Sequence, residues 1–267
     1  MKKLATALVS AAAIMTMSTT AFAAENPAEV FDRVMEKNNT IQSAEIQSGV
    51  HSVILAKDVI PDGQMKVDMA MHAEMDMQDT TDLKYLAQVA SSILGQDSYS
   101  QVFYTDGYYY VDANGVKLKY PMPLEQIISS VQTGVNTSNM ESSYMKGISL
   151  NEVNGKRVLA YEANPKKLNK NVKEALVMNT LGTDINLDMN IQEMKGAYVL
   201  DDNDYIIYMT NYIVYNMEVL DQPMTCITLM ETEVQNPGEP VVVTLPSTDG
   251  YEDLIGLYDG VIESEVE

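Results

Sequence analysis

"MKVDMAMHAEMDM", residues 65–77, places five methionines in thirteen residues, interleaved with charged and polar groups. An extended strand sends successive side chains to opposite faces. Met65, Val67, Met69, Met71, Ala73, Met75 and Met77 then project one way. Lys66, Asp68, His72, Glu74, Asp76 and Gln78 project the other, with Ala70 the exception. The run therefore reads as one strand with a dry face and a wet face. Core strands usually draw on Val, Ile and Leu, whose stiff rotamers specify a packing. Methionine is unbranched and polarizable, which suits a surface that adapts to variable apolar partners. Three readings of the dry face follow: ordinary core, a deformable wall for a greasy ligand, or a soft-metal site centred on Met69 and Met71.

The neighbouring segments make this strand part of a large sheet. "SAEIQSGVHSVILAKD" (43–58) leads into it across Pro61-Asp62-Gly63, an antiparallel pair. Asn-Gly is the strongest short hairpin signal, because both residues tolerate the left-handed backbone of a two-residue turn. In "YYYVDANGVKLKY", Asn114-Gly115 sets Ala113 against Val116 and Asp112 against Lys117. In "ISLNEVNGKRVLAYE", Asn154-Gly155 sets Val153 against Lys156 and Glu152 against Arg157. Both registers bring opposite charges across the ladder, worth about 0.2–1 kcal/mol each. Further on, "TDINLDMNIQ" (183–192) alternates Leu187, Met189 and Ile191 with polar residues, and residues 196–234 supply three more strands around a polar "DDND" turn at 201–204.

Helices are fewer. Asn26 caps the first, Pro27 opens it, Glu29 completes the cap, and Val30, Phe31, Val34 and Met35 form its apolar stripe. Helical spacing also marks "TDLKYLAQVASSILG" (81–95), "PLEQIISSVQTG" (123–134) and "NPKKLNKNVKEALVMNTLG" (164–182), each closed by a glycine. Helix, long alternating strands, a few interrupting helices and more strands give an α+β fold: a large curved antiparallel sheet with helices across its concave face.

The ends and the composition set the location. Lys2 and Lys3, an apolar stretch broken by Ser and Thr, and "AFA" at 21–23 have the order of a signal peptide, with cleavage expected near Ala23. The expected organisation is a signal peptide over 1–23, one domain over 24–246 and an acidic tail over 247–267. No second apolar run reaches spanning length. The product is thus expected to be secreted or extracytoplasmic, with no transmembrane segment. Cleavage leaves fifteen basic and thirty-eight acidic side chains, a formal charge of −23. That charge excludes nucleic acid as a partner, since phosphates demand a basic surface. Cys226, the only cysteine, reads as a small buried hydrophobe. No nucleophile–base pair, serine elbow or HExxH is present, so no enzyme and no cofactor are expected.

The opening helix, the methionine-rich strand pair and "YTDGYYYVDANGVKLKYPM" (104–122) resemble exported Bacillota proteins and lipoproteins of the DUF6612 type. These are related to the LolA/LolB-like and LppX/LprG lipoprotein-carrier fold. The resemblance, running from about Pro27 to Pro246, implies a curved half-barrel closed by helices around a hydrophobic cavity. Relatives are often anchored through a cysteine after the signal sequence, and this chain has none there. Residues and resemblance together give a non-enzymatic protein that binds a hydrophobic or lipid-like ligand. The residues expected to touch it are Met65, Val67, Met69, Met71, Met75, Met77, Leu187, Met189 and Ile191. The alternatives are an exported surface or interaction protein without a small ligand, its protein partner unspecified, and a Cu(I)-binding protein.

Overall fold

A computed structural model of the chain describes residues 25–56, 60, 62–79, 83–127, 140–169, 189–219 and 222–254. The expected signal peptide and Leu187 lie outside the described residues. So do most of the helices expected over 123–134 and 164–182, of which 124–127 and 165–169 are described as helical.

The secondary structure is dominated by twelve strands in one open, mostly antiparallel sheet. Among the described residues, the helix α1 (Pro27–Asn38) precedes them. The strands are β1 (Ser43–Leu55), β2 (Gln64–Asp76), β3 (Lys84–Ile93), β4 (Gln96–Thr105), β5 (Tyr108–Ala113) and β6 (Val116–Pro121), then β7 (Met145–Val153), β8 (Lys156–Ala163), β9 (Asn190–Leu200), β10 (Ile206–Val219), β11 (Gln222–Gln235) and β12 (Glu252–Asp253). Their spatial order is β12-β6-β5-β4-β3-β2-β1-β11-β10-β9-β8-β7, and β12 pairs in parallel on β6.

Local chemistry explains the turns. Asn114 and Asn154 take φ near +52°, Gly115 and Gly155 follow in the same region, and the two hairpins adopt the registers expected from sequence: Asp112 opposite Lys117 and Glu152 opposite Arg157. The "DDND" stretch is the β9–β10 turn, closed by Asp201 Oδ1 accepting from the Asn203 and Tyr205 amides. Asn26 Oδ1 accepts from the Ala28 amide at the start of α1, as expected of a cap.

One expected helix is a strand. Residues 84–93 form β3, paired along its whole length with β4, from Tyr85 opposite Tyr104 to Ile93 opposite Gln96. Leu94 (φ +53°) and Gly95 make the two-residue turn between them. The helical spacing of Leu83, Leu86, Ala90 and Ile93 is real. However, β4 is a strong strand former that must pair, and backbone pairing outweighs a weak helical propensity.

The described residues fall into two compact units. The first joins residues up to Asn38 with Gly49–Asp68 and Ser138–Glu233; the second joins Asn39–Ser48, Met69–Thr137 and the residues from Val234 onward. In the first unit, Val30, Phe31, Val34 and Met35 of α1 pack on Leu150, Leu159, Tyr161, Tyr198, Leu200 and Ile206. Phe31 meets Tyr161 edge to face at 5.8 Å. In the second, Leu86, Phe103 and Tyr110 are covered by Val243, with Val241, Leu245 and Tyr251 alongside. The stretch expected as a loose acidic tail from 247 is thus held as far as Asp253: Tyr251 stands edge-on to Phe103 and Tyr110 at 5.6 and 5.1 Å, and β12 pairs on β6.

Candidate functional site

In the first unit, strand pleating sorts side chains by chemistry. Tyr198 lies opposite Met209, Gly196 opposite Asn211, Met194 opposite Ile213, and Ile191 opposite Tyr215 across β9 and β10. The same face continues onto β11, where Met209, Asn211, Ile213, Tyr215 and Met217 oppose Thr232, Met230, Thr228, Cys226 and Met224. Directly opposed residues share a face, so these side chains form one surface. Every charged residue in the paired parts of β9–β11 alternates onto the other face: Glu193, Lys195, Glu218, Glu231 and Glu233. A chain of formal charge −21 therefore presents here a surface with no charge on it.

The first residues of β2 belong to that surface. His51 Nδ1 lies 2.7 Å from Asp68 Oδ1, which puts both on one side of β1 and β2. Alternation then turns Val67, Met65 and Ser52 to the opposite side. Ser52 Oγ reaches Thr228 Oγ1 at 2.9 Å, joining this side to the charge-free surface.

The cover is partial. A twelve-residue helix is about 18 Å long. α1 buries Tyr161, Tyr198, Leu200 and Ile206, whereas Met194, Met209, Ile213 and Tyr215 at the edge of the same cluster keep part of their surface open. Met65, Val67, Met217 and Met224 are likewise half-buried. The Ile191 end is fixed by Asn169, whose side chain accepts from the Ile191 amide at 2.7 Å and donates to its carbonyl at 2.9 Å. Burial pushes the Tyr215 hydroxyl above the usual tyrosine range, with the neighbouring Cys226 thiol adding to it. Cys226 is buried, as expected from its strand-like surroundings.

The expected site residues divide among environments. Met65 and Val67 are half-buried on the first unit's charge-free face, Met189 is half-buried at the entry to β9, and Ile191 is packed in the core. In the second unit, Met75 and Met77 are buried at 1% and 3% exposure, which leaves no surface for a guest, while Met69 and Met71 are exposed at 40% and 36%. Ser43 Oγ donates to the Met75 carbonyl and the Met77 amide to the Gln42 carbonyl, so the end of β2 is locked to β1. Met194, Met209, Ile213, Met217 and Met224 were not among the expected residues. The alternation in "MTNYIVYNM" (209–217) carried that signal, masked because tyrosines populate both of its faces.

The sequence matches the family described as "Family of unknown function (DUF6612)" over residues 26–246. The chain belongs to this family. No curated protein matches the sequence. Among solved structures, the chain is similar to LprF from Mycobacterium bovis, at 10% identity and TM-score 0.36, over 83% of this chain and 97% of that one. It is also similar to a beta-barrel-like DUF1849 protein from Brucella abortus, at 12% identity and TM-score 0.23, over 74% and 100%. A third is the ywiB protein of Bacillus subtilis, at 11% identity and TM-score 0.21, over 74% and 96%. Among the described residues, no helix is long and apolar enough to cross a membrane.

Proposed function

We propose that this DUF6612 chain is an exported, non-enzymatic protein that binds a hydrophobic, lipid-like guest on the charge-free face of its first unit and carries it outside the cytoplasm. The observation that supports this reading is the segregation of charge. Thioethers and aliphatic groups line one face of β9–β11 and the start of β2, and all five charged residues of the paired region lie on the other. An apolar chain laid on that face gains about 25 cal/mol per Å² removed from water. A contact of about 300 Å² would supply about 7.5 kcal/mol before the losses of association. Flexible methionines let the surface follow guests of different shape without a directional contact.

The test is extraction of the purified protein with organic solvent, followed by mass spectrometry. Wild type should release stoichiometric acyl-bearing compounds, and Ile213→Asp, which sets a charge in the middle of the face, should release at least tenfold less while remaining folded. A blank extract from wild type would remove the carrier reading and leave an exported interaction protein.

A further inference from the structure

Three sulfur-bearing side chains share the far end of this face, on neighbouring positions of one antiparallel ladder, and two of their sulfurs are in contact. Cys226 Sγ lies 3.6 Å from Met217 Sδ. Met224 stands directly opposite Met217 and two residues before Cys226, so its side chain rises on the same side. We propose that Cys226, Met217 and Met224 form a binding site for one Cu(I) ion.

Geometry and charge support that ion in particular. Metal–sulfur bonds are about 2.3 Å long, so two sulfurs 3.6 Å apart subtend about 100° at a shared metal, within the range of trigonal and tetrahedral sites. Thiolate and thioether are soft ligands, which select Cu(I) over hard cations that take oxygen. No carboxylate of β10 or β11 faces the site, because Glu218, Glu231 and Glu233 are on the opposite face. One thiolate cancels one monovalent charge, so the loaded site is neutral within an apolar surface. A divalent ion would leave an uncompensated charge there. Cys226 is buried, whereas Met217 and Met224 are half-buried, so the thioethers give the ion its route in. Binding breaks the S–H bond, forms a copper–thiolate bond and sends the proton to water, and copper enters and stays as Cu(I).

This site is separate from the soft-metal site expected at Met69 and Met71. Those residues are exposed and belong to the second unit, whereas Cys226, Met217 and Met224 belong to the first. The inference also stands without the lipid-binding reading.

Anaerobic titration of the protein with Cu(I), in competition with a chromophoric Cu(I) chelator, tests it. One equivalent should be withdrawn from the chelator, and X-ray absorption should show sulfur neighbours alone. Cys226→Ser should weaken binding at least a hundredfold and Met217→Leu, which keeps the side-chain volume, at least tenfold; Met69→Leu/Met71→Leu should leave it unchanged. Wild type that fails to compete, or a Met217→Leu protein that competes as well as wild type, overturns the proposal.

Discussion

Tyr161 and Tyr198 stack beneath α1 with ring centroids 5.3 Å apart, and the hydroxyl of Tyr161 donates to Asn211 Oδ1 at 2.5 Å. Gly196 makes this arrangement fit. A methyl group there would collide with Asn211 Oδ1, the Thr210 carbonyl and the Tyr161 ring, so the position needs the absence of a side chain. Burial holds both phenols neutral, raising Tyr161 well above its usual value and Tyr198 to about 12. The sign of the linkage follows. An unfolded tyrosine releases its proton near pH 10, whereas folded Tyr198 keeps it to about 12, so the unfolded state binds fewer protons in that interval. Its contribution is complete below pH 10 and is lost as pH rises toward 12. Urea unfolding at a series of pH values should show stability falling over this interval. Tyr198→Phe should remove on the order of 2–3 kcal/mol of that fall. Identical slopes for the two proteins would show that Tyr198 ionises freely in the fold.

At the scale of elements, local signals were legible where turn chemistry and charge agree. Asn154-Gly155 with Glu152 opposite Arg157 determines its hairpin before any distant residue is considered. The pair β3–β4 shows the limit. Nothing in "YLAQVASSI" excludes a helix, and the decision rests on hydrogen bonds to a strand that begins three residues after β3 ends. The same limit applies to the candidate face. Alternation in β2 announced Met65 and Val67, but which methionines end up under packed neighbours depends on strands distant in sequence, and Met75 cannot be told from Met65 by pattern. α1 is the opposite case, since its stripe of Val30, Phe31, Val34 and Met35 could be read directly. It predicts a consequence. Phe31→Ala should destabilise the protein by about 3–5 kcal/mol, because the ring is fully buried against Tyr161 and Tyr198 and the cavity cannot collapse between strands. Glu36→Ala, on the wet side of the same helix, should change stability by less than about 0.5 kcal/mol. Chemical denaturation of the two variants makes the comparison, and equal effects would mean that α1 does not depend on its apolar stripe.

For the whole molecule, charge opposes the core. Attractive pairs exist: Arg33 and Arg157 both bond Asp204 and Glu25, at 2.5 to 3.1 Å, tying the start of α1 to the β9–β10 turn. Glu25 and Arg33 are about half exposed, and such surface pairs contribute about 0–1 kcal/mol each. Against them stands a formal charge of −21 over the full chain, or −23 without the lysines of the expected signal peptide. Net charge of that size destabilises a compact state by self-repulsion over distances longer than a single pair. Salt screens both, but the two effects have opposite signs. The Debye length shortens from about 30 Å at 0.01 M to about 8 Å at 0.15 M, which removes repulsion between distant acids while leaving contacts near 3 Å largely intact. Repulsion therefore dominates the salt response. The melting temperature should rise by several degrees between 0.01 M and 0.15 M sodium chloride, and Asp204→Asn should lower it at both concentrations without reversing the trend. A melting temperature that falls with salt in wild type would mean that the Arg33–Asp204–Arg157–Glu25 cluster, rather than the acidic surplus, governs the electrostatic stability of this chain.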